Sequence, residues 1–217
     1  MVAFMTTTTD VRAFTLVASA TWLFLHVYVR HNGPISVARP IIKLNSWIYS
    51  VASFLMFLII IIRPIPPVDT YVGLSNGLSD DYVCYIYHLS KFYEFIDIIL
   101  VCAAGSSINL HFGFHHLTTP YLTLFRFLDG HEGWRVFAAA NTLHHVLMYA
   151  YFGGASLLRP LLPWTGTIQL LLGISADLVL GMRRHSNGGD IWPYLFSVTL
   201  LLMYFVLHVR DLKARRI

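Results

Sequence analysis

About seven stretches of mainly apolar residues follow one another along the chain, near 13–29, 45–63, 92–109, 111–128, 134–157, 163–182 and 191–209, with short polar gaps between them. A helix needs about 20 such residues to cross hydrocarbon, and in lipid only helices and closed barrels satisfy every backbone group internally. The pattern therefore predicts an all-α, polytopic membrane protein in which about seven transmembrane helices form a bundle. Composition agrees, with 56% hydrophobic and 12% charged residues, against roughly 45–50% and about 25% in soluble domains. No composition shift, internal repeat or low-complexity segment divides the chain, so residues 1–217 read as a single integral-membrane domain. The first apolar run has small residues at Ala18 and Ala20 but continues through Val29, which predicts an uncleaved span and not a secretory leader. The joint between the third and fourth stretches is Ala103-Ala104-Gly105-Ser106-Ser107, a break or a kink within the membrane.

The formal charge of +4 comes partly from juxtamembrane residues, Arg30, Arg39 and Lys43 after the first run and Arg210, Lys213, Arg215 and Arg216 at the tail. Such clusters follow the positive-inside rule and are weak support for nucleic-acid binding. With the N-terminus outside, eight Lys and Arg fall inside and seven outside, but the clusters fall on one side. This favours an outside N-terminus and a cytoplasmic C-terminus. The segment Pro64 to Ser90 then reads as an external, acidic loop with Asp69, Asp80 and Asp81. Cys84 and Cys102 are the only thiols, and no disulfide is predicted from them.

Against this apolar background the polar residues need a reason, because burying an unpaired polar group costs roughly 2–7 kcal/mol. Lys91, Glu94 and Asp97 open the third stretch at i, i+3 and i+6, and at about 100° per residue they share a face about 120° wide. Intramembrane charges cost at least ~2.5–3.5 kcal/mol each and face a cavity or one another. A snorkelling Lys91 paired with Glu94 is the bland reading, but it leaves Asp97 unexplained.

In the next stretch His111 and His115 lie about 40° apart around a helix, with His116 about 100° further on. In the fifth, Asn141, His145 and Met148 fall on one stripe, with His144 beside it and Tyr149 and Tyr151 following. An amide and an imidazole one turn apart can present a donor and a base to one carbonyl. The sixth stretch adds Gln169 and, deeper, Asp177, for which the sequence offers no partner. Interhelical hydrogen bonding is the plain alternative for each of these groups. His26, His31, His88, His131, His185 and His208 lie mostly near predicted helix ends and need no functional account.

Together these residues resemble the ELO family of membrane condensing enzymes that elongate fatty acyl-CoA chains. The family order is a Lys-x-x-Glu-x-x-Asp opening, a histidine box, an Asn-x-x-x-His-x-x-Met-Tyr span and a Gln-bearing span. Lys91, Glu94, Asp97, His115, His116, Asn141, His145, Met148, Tyr149, Tyr151 and Gln169 match it. The departures are a box spaced His111-x-x-x-His115-His116 instead of His-x-x-His-His, Ile98 in place of Thr, Leu172 in place of a second Gln, and uncharged Ala103 to Ser107 in place of a basic loop.

The resemblance implies a bundle around an acyl-chain cavity in the endoplasmic reticulum membrane. It also implies a decarboxylative Claisen condensation of a long-chain acyl-CoA with malonyl-CoA to 3-ketoacyl-CoA, carbon dioxide and CoA. No cofactor and no metal are expected; partners are the two CoA thioesters and the bilayer, with a homodimer and other elongation enzymes left open. His115 or His145 would accept the acyl group or a proton, with His116 and His111 in the same cluster and Asn141 on the thioester carbonyl. Glu94 and Asp97 would orient imidazoles, Lys91 would bind a substrate carboxylate or phosphate, and His144, Met148, Tyr149 and Gln169 would line the substrate. Imidazole suits this chemistry, which needs a base near neutrality and donors for an enolate oxygen.

Two rivals remain at this stage. A membrane di-iron desaturase or hydroxylase also uses histidine boxes, and Asn141-x-x-His144-His145 resembles a second one, but a third is missing. A proton-coupled transporter would use Lys91, Glu94, Asp97 and Asp177 as a relay and leaves the Asn–His–Met–Tyr stripe unexplained. The tail Lys213-Ala214-Arg215-Arg216-Ile217 is similar to a dibasic endoplasmic-reticulum retrieval signal.

Overall fold

The computed structural model describes residues 4–62, 80–128 and 133–214, and among these every regular element is a helix. Helix α1 (Thr8–Asn32) starts from a capping box in which Thr7 and Asp10 bond each other's backbone N–H, and ends at Gly33, whose φ of 84° suits glycine. Helix α2 (Ala38–Ile62) follows, then α3 (Asp80–Tyr93), α4 (Phe95–Ala103), α5 (Leu110–Leu128) and α6 (Trp134–Gly153). A 3-10 turn (Ser156–Leu161) leads into α7 (Leu162–Ser186), and α8 (Trp192–Ala214) closes the described chain.

Helix α2 turns polar residues inward and apolar residues outward. On α2, Asn45, Ser46, Tyr49, Ser50 and Ser53 are buried at helical spacing while Leu44, Trp47, Ile48, Val51, Phe54 and Leu55 are exposed. That inversion is what lipid selects, since hydrocarbon takes the apolar face and the interior must satisfy the polar one. Four helical segments are long and apolar enough to cross a membrane on these criteria alone: Thr8–Asn32, Ala38–Ile62, Ser156–Ser186 and Trp192–Ala214. The others are shorter or carry the polar residues of the site.

Packing runs α2 to α6, α6 to α7, α7 to α8, α8 to α5, and α5 through α3 and α4 back to α2, so these helices close a ring. Helix α1 lies outside it against α4 and α5 and buries only Val11. Long-range bonds fix which helix ends meet. Ile35 N–H reaches the Ala103 carbonyl at 2.8 Å, Asn109 donates to Asp211 at 2.8 Å, and Trp47 Nε1 donates to the Gly153 carbonyl at 3.0 Å. One end of the ring therefore gathers the starts of α2, α5 and α7 and the finishes of α1, α4, α6 and α8.

The third apolar stretch differs from its prediction. Helix begins already at Asp80, inside the segment read as a loop, and the stretch is broken at Glu94 between α3 and α4. The rest of the Pro64 loop lies outside the described residues, as do Arg215, Arg216 and Ile217. In α5, Pro120 removes the N–H that would bond the His116 carbonyl one turn earlier, just past the histidines. Cys84 and Cys102 are both buried and are not joined in a disulfide.

Candidate functional site

A polar layer crosses the ring interior. The Lys91 ammonium, 1% exposed, donates to Glu94 Oε1 at 2.6 Å and to Asn141 Oδ1 at 2.7 Å, and lies 4.6 Å over the Tyr87 ring. Tyr87 OH also donates to Asn141 Oδ1, at 2.9 Å. Because both neighbours of the amide oxygen are donors, Nδ2 must face the other way, towards Gln169 Oε1 at 2.9 Å and His145 Nε2 at 3.3 Å. Nε2 of His145 is then an acceptor, and the ring proton sits on Nδ1, 3.4 Å from Glu94 Oε1. Glu94 also accepts from Tyr49 OH at 2.8 Å. The break in the helix at Glu94 places this carboxylate under both Lys91 and His145.

Asp97 belongs to a neighbouring set of bonds. It accepts from Tyr149 OH and from Asn45 Nδ2 at 3.2 Å, so α4, α6 and α2 are tied at one carboxylate.

Above the layer, towards the ring end described above, lies a cavity of about 670 Å³. His111, His115, His116, His144, His145 and His208 all line it. His115 and His116 have ring centroids 5.5 Å apart, and His115 packs on the Tyr204 ring at 4.7 Å. His116 is buried, and its Nδ1, enclosed by protein, has no hydrogen-bond partner. The His116 ring lines the cavity together with His115, His144 and His145, imidazoles that can serve as base or nucleophile.

At the mouth, His111 Nδ1 stands 3.5 Å from Asp211 Oδ2, and Asn109, Arg159 and Leu212 complete the rim. His144 meets Thr165 Oγ1 at 2.8 Å and His208 Nε2 meets Thr167 Oγ1 at 3.3 Å. Gly166 leaves room for both rings, since a Cβ there would lie 2.9 Å from His208 Cε1 and 3.4 Å from His144 Cε1.

The sequence profile of the GNS1/SUR4 (ELO) family matches residues 4–210. The chain belongs to the ELO family. It is also 29% identical over 129 residues to fatty acid elongase 1 of Trypanosoma cruzi (strain CL Brener), an alignment covering 55% of this chain and 44% of that protein. The chain thus aligns with less than half the length of that relative. No solved structure matches it.

With the ELO motifs placed on the fold, the predicted residues divide into three groups. Lys91, Glu94, Asn141, His145 and Gln169 form one hydrogen-bonded layer. His115, His116, His144, Met148 and Tyr149 line the cavity with His145 and Gln169. Asp97 bonds Tyr149 and Asn45 and no imidazole, and His111 stands at the rim. Lys91 is enclosed by its partners and does not line the cavity.

Sequence reading missed Tyr49, Tyr87 and Asn45, which hold Glu94, Asn141 and Asp97; the helical spacing of polar residues on α2 was the available signal. It also passed over His208, which faces the cavity, and His88, which is fully buried between Thr123 Oγ1 at 2.8 Å and the Met5 carbonyl at 2.9 Å. Asp177 has its cation in Arg126, whose Nη2 is 2.6 Å away, with Ser197 bridging the two. The Arg126 guanidinium also lies 4.7 Å over the ring of Phe137, which packs in one core cluster with Leu201 and Ile174. Among the described residues no three His, Cys, Asp or Glu side chains are grouped as metal ligands.

Proposed function

We propose that the chain is a membrane condensing enzyme of fatty acid elongation, joining an acyl-CoA to malonyl-CoA with loss of carbon dioxide. The observation that carries this reading is the set of imidazoles from α5 and α6, His115, His116, His144 and His145, that line one cavity beside the Gln169 amide. Family membership and the elongase relative supply the substrate class. In the reaction, an imidazole nitrogen of His116 bonds the thioester carbonyl carbon and the thiolate leaves, taking the proton of the ring's other nitrogen as free CoA. Malonyl-CoA loses carbon dioxide and keeps the bonding pair as an enolate. The enolate carbon attacks the acyl-imidazole, the carbon–nitrogen bond breaks, and one proton returns the imidazole to its starting state.

In this reading Lys91 and Glu94 are positioning residues: they aim the Asn141 amide and hold the His145 tautomer. Gln169 Nε2, left uncommitted because its Oε1 accepts from Asn141, and the neighbouring ring N–H groups stabilise the enolate oxygen, as prearranged donors do in a dry site. The mouth faces the cytoplasm of an endoplasmic-reticulum membrane, with the N-terminus lumenal. Arg30, Arg39, Lys43, Arg159 and Arg210 all belong to the mouth end, which agrees with the positive-inside rule. Residues 1–217 act as one elongase-like unit.

The test is direct. Purified protein in lipid is given an acyl-CoA and malonyl-CoA labelled in its free carboxyl. Labelled carbon dioxide and 3-ketoacyl-CoA in equal amounts are expected, and neither product across a range of acyl-CoAs rejects the proposal.

A further inference from the structure

We infer that the outer groove between α5 and α8 binds an anionic glycerophospholipid, with one acyl chain in the groove and the phosphate held by Arg210 and Lys213. The site lies on the outside of the ring and stands apart from the condensation chemistry inside it.

The groove has a volume of about 480 Å³ and is walled by Leu110 and Phe114 on α5 and by Leu202, Met203, Val206 and Leu207 on α8. No residue lines both this groove and the histidine cavity. Leu110, Leu202, Met203 and Val206 are exposed, so the groove opens away from the ring interior, where lipid surrounds the bundle. Thr199 also lines it, but its hydroxyl already donates to the Leu195 carbonyl at 2.7 Å. The lining therefore suits a hydrocarbon chain.

The end of the groove selects the head group. At about 100° per residue along α8, Thr199, Met203, Val206, Arg210 and Lys213 share a stripe about 80° wide. The two basic residues continue the line of the groove, with Arg210 one helical turn past Val206. A glycerol ester bridges such a step between a chain and its phosphate. Arg210 and Lys213 are both exposed. The Arg210 guanidinium lies 3.7 Å from Asp211 Oδ1, while Asp211 Oδ2 accepts from Asn109 at 2.8 Å and stands 3.5 Å from His111 Nδ1. Asp211 thus divides its charge between the rim of the cavity and Arg210, and leaves the outer stripe basic. Basic residues beside a membrane attract anionic lipid, each by about fivefold in binding.

A second copy of the chain fits this surface less well. Helix pairs in membranes close on small residues, whereas this groove carries Leu, Met, Val and Phe side chains. A two-fold contact here would also set Arg210 and Lys213 against the same residues of the other copy.

Native mass spectrometry of the full chain in mixed micelles tests the inference, with Kd measured for phosphatidylglycerol and phosphatidylcholine carrying identical dioleoyl chains. The proteins compared are the unmodified chain, Arg210→Gln combined with Lys213→Gln, and Val206→Trp. Phosphatidylglycerol should bind one site about tenfold or more tighter than phosphatidylcholine, and the double substitution should bring the two within about threefold. Val206→Trp, with a large ring in the groove, should weaken both lipids by about fivefold or more. Equal affinity for the two lipids, a preference that survives the double substitution, or binding untouched by Val206→Trp overturns the inference. A lipid-free dimer overturns it too, because a second copy then covers the groove. Should Val206→Trp fail to fold, phosphatidylglycerol with a diazirine in its acyl chain locates the tail: labels between Leu202 and Leu207 are expected, and labels confined to other helices overturn the inference.

Discussion

Replacing Lys91 with Met tests whether the polar layer is held by its buried charge pair. The ammonium and the Glu94 carboxylate are 2.6 Å apart, an attraction of about 6 kcal/mol at an effective dielectric of about 20. Desolvation offsets most of that in the intact protein, so the pair adds little net stability. Removing one partner differs, because the desolvation has already been incurred. Lys91→Met leaves Glu94 with only the Tyr49 hydroxyl and the His145 ring N–H, and strips a donor from Asn141. The expected loss is about 3–5 kcal/mol. Glu94→Gln alone should cost a similar amount by stranding the ammonium.

The double variant has no charge left to strand, so its loss should fall short of the sum of the singles by at least about 2 kcal/mol. Reversible unfolding in mixed micelles measures all three. Single variants that each lose less than about 1 kcal/mol, or a double variant additive within about 0.5 kcal/mol, would refute the coupling.

Three further outcomes follow from the same geometry. Arg126→Leu should destabilise by about 3–5 kcal/mol by leaving Asp177 buried beside Ser197, and adding Asp177→Leu should recover part of that in the same unfolding assay. Gly153→Ala would place a Cβ 2.8 Å from Trp47 Nε1, so the indole must shift and weaken its bond to the Gly153 carbonyl; a loss of about 1–3 kcal/mol in unfolding free energy is expected. Asp211→Asn, at the rim and 16% exposed, should change stability by less than about 1 kcal/mol.

Much of the site was legible because helical periodicity is a local property. Asn141, His145 and Met148 share a stripe by arithmetic alone, and the ring turns that stripe inward, with His145 and Met148 on the cavity. Lys91 and Glu94 were correctly read as inward-facing for the same reason. What periodicity cannot give is the distance between stripes. Arg126 and Asp177 lie 51 residues apart, and their pairing depends on α5, α7 and α8 meeting in the ring. Asp97 was expected to hold an imidazole, yet its neighbours are Tyr149 and Asn45, because the break at Glu94 changes the register between the two carboxylates. The first turns of α3 carry Asp80, Asp81 and other polar residues, a pattern that reads as loop; its ordering comes from burial of Val83, Cys84 and Tyr87 against Ile60, Trp134 and Ala138.

The central claim is that His116 supplies the reacting nitrogen. Its most direct test is the rate of labelled carbon dioxide release from malonyl-CoA in the presence of acyl-CoA, for the unmodified protein and for His116→Ala at matched folded concentration. A fall of about two to four orders of magnitude is predicted, the range expected when a group acting on the proton or the carbonyl is lost. A His116→Ala protein that turns over at the unmodified rate would contradict the account.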